Sequence, residues 1–396
     1  MNGLLGDWAN LLLRWTHFVA GIAWIGSSFY FIWLDRALSR PTLPRPGVEG
    51  DVWMVHSGGF YQTEKRRPGP GEVPAVLHWF KWEALITWIT GIALLVLIYY
   101  LNEAYLLDPA VSGIGRGAAI ALGIGLLVVG WVVYDLLWRS PLAEPGGGWI
   151  ATTISLVLLG AVTIAACRLL SGRAAYMHVG AVLGTLMVAN VWMRILPAQQ
   201  TMIDATKAGR QPDFTLGERA KRRSVHNSYM TFPLLFIMLS NHYPATYSSP
   251  TNWLVLLLLF VAGAAARHVM IGRGSSTRWA LAAAVAALAG AVFLSAPRGA
   301  AAPITAAGVA PTFAAVRSVV VQRCLPCHSR FPSDPTFGAA PAGVAFDTPE
   351  GIARFAERIR VRAVETQTMP LGNKTGMTPD ERALLARWIA AGAPLR

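Results

Sequence analysis

The chain has 396 residues, of which 54% are hydrophobic and 14% charged, whereas a soluble domain carries about 25% charged residues. That composition excludes an ordinary soluble protein and predicts a membrane one. The formal charge of +13 would suit nucleic acid, but the basic residues fall in loops between apolar runs, so the predicted partner is membrane lipid and not nucleic acid.

The first residues, MNGLLGDWANLLL, lack a positive n-region and lead straight into a full-length apolar run, so no cleavable signal peptide is expected. A membrane span needs roughly 20 apolar residues. Eight runs qualify, at about 8–34, 76–101, 117–138, 149–170, 174–196, 225–241, 252–271 and 277–296. The sixth is short, and Pro233 is expected to kink it. Trp8, Trp33, Trp79, Tyr99, Tyr100, Trp138, Trp149, Trp253 and Trp279 crowd the ends of these runs, as interfacial anchors do. Cys167 lies inside an apolar run and reads as an inert core thiol.

Lysine and arginine set the topology. The odd-numbered loops hold seventeen of them, including Arg36, Lys65, Arg139, Arg194, Lys207 and Arg223. The even-numbered loops hold three, Arg116, Arg168 and Arg173. The positive-inside rule puts the odd loops in the cytoplasm and both chain ends outside.

A Pro/Ala/Gly stretch follows the last run and reads as a linker over 297–311. It divides a membrane domain, 1–296, from a soluble segment, 312–396. In that segment Phe313–Gln322, Pro349–Thr366 and Thr378–Ala391 are expected to be helical. Thr378-Pro379-Asp380-Glu381 is a helix start, with a hydroxyl N-cap, proline at the first position and then acids. Cys324-Leu325-Pro326-Cys327-His328 is a C-x-x-C-H run, which attaches a c-type haem through two thioethers and ligates its iron through the histidine. A zinc site would need further Cys or His ligands, and none follows His328. The sixth iron ligand is expected to be Met369, in a loop stiffened by Pro370; Met377 can instead pack as an apolar staple. A haem attached this way also demands an outside C-terminus. The fold class is therefore all-α, a polytopic bundle of about eight spans followed by a small α-helical cytochrome c domain.

Ionisable groups within spans are costly and are functional candidates. Near the outer face lie Arg14, His17, His178 and His242. Near the cytoplasmic face lie His78, Lys81, Glu83, Tyr134, Asp135, Asn190, Arg194, His226, Asn227 and His268. One histidine group per face suggests b-type haem ligation as a relay to the outer haem. Each histidine reads equally well as a hydrogen-bonded bundle residue. Lys81 and Arg194 are expected to snorkel. Glu83 lies deeper and is expected to meet a His or Arg on another helix, either as a proton acceptor or as a structural partner.

The whole chain resembles the bacterial membrane-bound urate oxidases that carry a C-terminal cytochrome c domain. The resemblance rests on Arg14-Trp15-Thr16-His17 through Trp24-Ile25-Gly26, Lys81-Trp82-Glu83-Ala84 through Thr87-Trp88, and Tyr134-Asp135. It rests further on His226-Asn227-Ser228-Tyr229 through Ser240-Asn241-His242-Tyr243-Pro244, and on the C-x-x-C-H run with Met369-Pro370. It implies oxidation of urate to 5-hydroxyisourate in purine catabolism. Electrons would pass to haem c and on to a respiratory-chain cytochrome or terminal oxidase, without peroxide. It implies residence in the bacterial inner membrane with a periplasmic cytochrome domain. The alternative is a cytochrome subunit relaying electrons from quinol or a partner dehydrogenase. A flat monoanion wants a cation, amides, an aromatic face and a base. The cytoplasmic half offers Arg194, Asn190, Gln199, Gln200, Asn227, Trp82 and Glu83, with Asp135 a further candidate, so urate is expected there. An outer site near Arg14, His17, His178 and His242 would need no electron relay across the membrane.

Overall fold

The computed structural model describes residues 3–41, 45–144, 148–272, 274–296, 311–334, 337 and 339–395. Helix α1 spans Gly3–Ala37. It is followed by an antiparallel hairpin of β1 (Val48–His56) and β2 (Gly59–Arg66), which the all-α expectation did not include. Ser57 and Gly58 form its two-residue turn with φ of 50° and 77°, the paired positive φ of a type I′ turn.

The bundle continues with α2 (Trp82–Leu95), which runs into a π-helical turn, Val96–Tyr100. Next come α3 (Glu103–Leu106), α4 (Arg116–Leu137), α5 (Gly148–Leu169) and α6 (Gly172–Asn190). A second π turn joins α6 to α7 (Leu196–Lys207), and α8 (Phe214–Ser240), α9 (Pro244–Tyr247), α10 (Asn252–Ile271) and α11 (Ser275–Ser295) complete this part. Helix α6 is the central one. Ser171 caps its start, accepting from the Ala174 amide at 3.2 Å. Its small residues let neighbours approach: a Cβ on Gly180 would stand 2.7 Å from Ile237 of α8.

Among the described residues seven helical stretches are long and apolar enough to cross a membrane, against the eight expected. The sixth expected run lies within α8, which fails on composition because it turns Asn227, Ser228 and Thr231 into the bundle interior. Its length is sufficient, since 27 residues span about 40 Å. Its two ends also reach opposite faces. Near its start, Lys221 Nζ lies 2.9 Å from Asp35 at the end of α1. Just past its end, Asn241 Oδ1 accepts from the Tyr99 hydroxyl at 3.3 Å, at the end of α2. The helix runs unbroken through Pro233, whose ring packs on Gly263 of α10; a Cβ there would stand 2.9 Å from it.

Tyr99 and Tyr100 are not interfacial anchors. They are 2% and 8% exposed, because the π turn swings both rings inward. Trp8, Trp33, Trp149 and Trp279 are exposed. Cys167 is buried.

The C-terminal unit has its own core. Helices α12 (Phe313–Arg323), α13 (Pro349–Arg354), α14 (Ala356–Ile359) and α15 (Pro379–Ala390) enclose Phe313, Val316, Val320, Ile352, Leu385 and Trp388. Burying each such side chain contributes about 1.5–3 kcal/mol. Met377 joins this core, as a staple would. Thr378 and Glu381 form a complete capping box on α15. The unit sits on the face where α2 meets α3 and α5 meets α6. Gly372, at φ +55°, presses its backbone there, so that a Cβ would stand 3.2 Å from the carbonyls of both Ala104 and Leu107. The Lys/Arg-rich loops lie on the opposite face. The expected linker, 297–311, lies outside the described residues except for Pro311.

Candidate functional site

The end of α12 shapes the C-x-x-C-H segment. The chain coils beyond Arg323, with the amides of Cys327 and His328 donating to the Cys324 carbonyl at 3.2 and 2.9 Å. His328 Nδ1 lies 2.9 Å from the Val344 carbonyl. A carbonyl only accepts, so Nδ1 carries the proton and Nε2 keeps its lone pair. Burial pushes the Cys324 thiol up to about 12 and the Cys327 thiol up to about 11, the latter helped by Asp334 beside it. Burial also lowers the His328 imidazole, which favours the neutral form that a metal requires. Met369 is held by its backbone: its amide donates to the Arg362 carbonyl at 2.9 Å, and its carbonyl accepts from Arg382 Nη1 at 2.8 Å.

Cys324, Cys327, His328 and Met369 line one cavity of about 1240 Å³. Its other wall comes from the membrane part and includes Tyr105, Arg168, Arg173, Asn241 and His242. The Arg173 guanidinium lies 4.8 Å from the Tyr105 ring centroid, and its Nε donates to Asn241 Oδ1 at 2.9 Å. Asn241 Nδ2 faces Met177 Sδ at 3.2 Å. His242 is exposed in the cavity. Of these, sequence reasoning named His242 as a candidate and counted Arg173 only as loop charge. The signal for Asn241 was present in the string Asn241-His242-Tyr243-Pro244.

Four of the residues expected to bind urate at the other face, Arg194, Asp135, Asn190 and Asn227, have polar partners within the bundle. Arg194 Nε donates to Asp135 Oδ1 at 2.7 Å and its Nη2 pairs with Oδ2. Arg223 Nη2 reaches the same carboxylate at 3.0 Å. Asn190 Nδ2 donates to the Asn227 amide oxygen at 2.9 Å and the Tyr134 hydroxyl at 3.1 Å. Tyr134 in turn lies 2.7 Å from His226 Nδ1. Lys81 sits 5.3–5.8 Å from the rings of Trp79, Trp82 and Trp192, held by indole faces as well as by water. Glu83 meets no His or Arg among the described residues. It occupies the first turn of α2, where the helix N-terminus favours a negative charge. Trp82 and His78 are exposed.

The remaining outer candidates are not brought to one point. His17 Nδ1 lies 2.8 Å from the Thr87 carbonyl, and its ring packs against Gly91. His178 packs against Tyr100 and Gly123, with Nδ1 2.8 Å from the Ala174 carbonyl and Nε2 3.2 Å from the Tyr100 hydroxyl. Gly91 and Tyr100 are nine residues apart on one helix, about 13 Å along its axis. As placed, His17 and His178 do not form a bis-histidine pair, and both nitrogens of His178 are occupied. Arg14 is exposed and bonds Asn10 at 2.6 Å. Among the described residues no three of His, Cys, Asp and Glu converge as a metal-ion cluster.

No curated protein and no solved structure matches the chain. One family model does, described as urate oxidase N-terminal, and it covers residues 3–296. That range ends with α11 and takes in every helix of the membrane part, including the loops that wall the cavity. The chain belongs to the urate oxidase N-terminal family.

Proposed function

We propose that this protein oxidises urate to 5-hydroxyisourate and passes the electrons to a covalently bound c-type haem instead of to oxygen. The observation that carries this reading is the single cavity lined on one side by Cys324, Cys327, His328 and Met369 and on the other by the family-matched part of the chain. The residues fit the group. Two thiols sit three positions apart, an imidazole has its Nδ1 fixed to a carbonyl and Nε2 left over, and a thioether lines the same space. Bound there, the haem would supply a one-electron acceptor whose potential is raised by a methionine ligand. His17 and His178 do not fit a bis-histidine haem as placed, so no relay is drawn through that pair.

Urate and one water give 5-hydroxyisourate, two protons and two electrons. The electrons leave one at a time to an external acceptor, a respiratory-chain cytochrome or terminal oxidase. Arg382 fixes the Met369 backbone, and Val344 fixes the His328 ring. The proposed location is the bacterial inner membrane, with residues 312–396 as a periplasmic cytochrome domain. The excess of Lys and Arg on the opposite face supports that orientation.

The test uses the purified full-length protein in detergent without oxygen. Adding urate should reduce the haem visible band, with two equivalents of protein reduced per urate consumed. A haem band that ascorbate reduces and urate does not would reject the proposal and favour a cytochrome that relays electrons from a partner.

A further inference from the structure

We infer that Arg173, held in place by Tyr105 and Asn241, binds the flat purine anion in the same cavity as Cys324, Cys327, His328 and Met369. This deepens the reading above and rests on urate being the substrate. It moves the site from the Lys/Arg-rich face, where sequence reasoning put it, to the opposite face.

Charge is the first argument. Among the described residues no carboxylate pairs with Arg173; its neighbours are the phenols of Tyr99 and Tyr105 and the Asn241 amide. The carboxylates that do line the cavity, Asp108 and Glu357, lie near Arg382 and Arg360 instead. Arg14 adds a second cation within electrostatic reach of Arg173. A half-buried cation such as Arg173 without a counter-ion is costly, and a bound anion offsets that cost. At the other face Arg194 and Arg223 already share Asp135, and Asn190 and Asn227 already bond each other.

Geometry is the second. Arg173 is held through Nε and by its stacking on Tyr105, so its fork is ordered before ligand arrives. A planar fork suits the adjacent carbonyl and deprotonated nitrogen of a purine anion, which it can meet with two parallel hydrogen bonds. Pockets for one small molecule run to about 300–1,000 Å³. At about 1240 Å³ this cavity is larger than that range, leaving space for a purine beside a haem. His242 lines the same cavity and can take a proton as water adds. The electron path then stays within one cavity and does not cross roughly 30 Å of hydrocarbon.

The experiment compares full-length wild type, Arg173→Gln and Arg173→Lys in anaerobic urate titrations of the haem band. Arg173→Gln should raise the half-saturating urate concentration tenfold or more, with the same extent of reduction by ascorbate and the same midpoint potential. Arg173→Lys should fall between, because an ammonium keeps the charge and loses the fork. Arg173→Gln with a wild-type half-saturating concentration would overturn the inference. A second measurement needs no variant. In sealed proteoliposomes, urate should be consumed from the side on which the C-terminal unit is open to protease; consumption only from the opposite side would overturn the inference while leaving the proposed function intact. If urate fails to reduce the wild type, the proposed function falls. Equilibrium binding of labelled urate then decides the site alone: binding lost in Arg173→Gln supports it, and binding equal in both proteins overturns it.

Discussion

Arg223 Nη2 lies 3.0 Å from Asp135 Oδ1, and each side chain is 7% exposed. Arg194 shares the same carboxylate from another helix. Asp135 thus pairs with the buried Arg223 and the half-buried Arg194 together. Replacing it by Asn strands both. Breaking a buried pair from one side costs about 3–5 kcal/mol. Asp135→Asn should lower the thermal midpoint in detergent well below wild type, and an unchanged midpoint would show that the network carries no stability.

Gly172 is a sharper packing test. A Cβ there would stand 2.1 Å from the backbone carbonyl of Tyr247, which cannot swing aside as a side chain can. Gly184, on the same helix α6, has nothing within 4 Å of its Cβ position. Gly172→Ala should cost about 1–3 kcal/mol through overpacking. Gly184→Ala should be neutral or gain up to about 1 kcal/mol from helix propensity. Equal midpoints for the two variants would refute the contrast.

Met369 should tune the potential of the attached haem. Met369→Ala removes a thioether ligand that raises it. The midpoint should fall by on the order of 0.1 V, a fraction of the roughly 0.8 V range that axial ligands cover. Redox titration of the purified protein reads this directly. A midpoint unmoved by the substitution would assign the sixth position to another residue.

Acid should loosen α15 through Glu381. Burial alone would raise its carboxyl, but the Thr378 amide and Arg323 outweigh burial and hold it below the usual range. The unfolded chain therefore binds more protons between the two values, and stability rises with pH across that window. The contribution is complete above about pH 4.3, the unfolded value, and is lost as pH falls through the lower folded value. Glu381→Gln should flatten this acid limb in a melting series followed in the C-terminal unit. Thr378→Ala, which removes the N-cap itself, should cost about 1 kcal/mol.

The start of α15 was legible because its cap is local: Thr378 accepts the Glu381 amide three residues on, and the structure shows Thr312 and Thr348 capping α12 and α13 in the same way. The apolar spans were legible for the same reason, since hydropathy is a property of a short window. Helix α8 shows where that fails. Its Asn227 and Ser228 face other helices, so its composition reads as too polar for a span although its ends reach both faces. The hairpin was passed over because its strands lie inside what reads as a basic loop between two apolar spans. Tyr99 and Tyr100 were misplaced because aromatic residues at a span end suit an interface and a π turn equally well. Arg173 carries no local mark at all; its meaning comes from Tyr105 and Asn241, which lie far away in sequence.

Gly372 bears on how freely the C-terminal unit can be exchanged. Its backbone rests against two carbonyls of the α3 turn, so that a β-carbon there would be tight at 3.2 Å from each. The joint between the units is therefore a steric key and not merely a tether. Grafting a foreign cytochrome onto the bundle should preserve the shared cavity best where the donor brings glycine to this position, since a larger residue would meet both a positive φ and two close carbonyls.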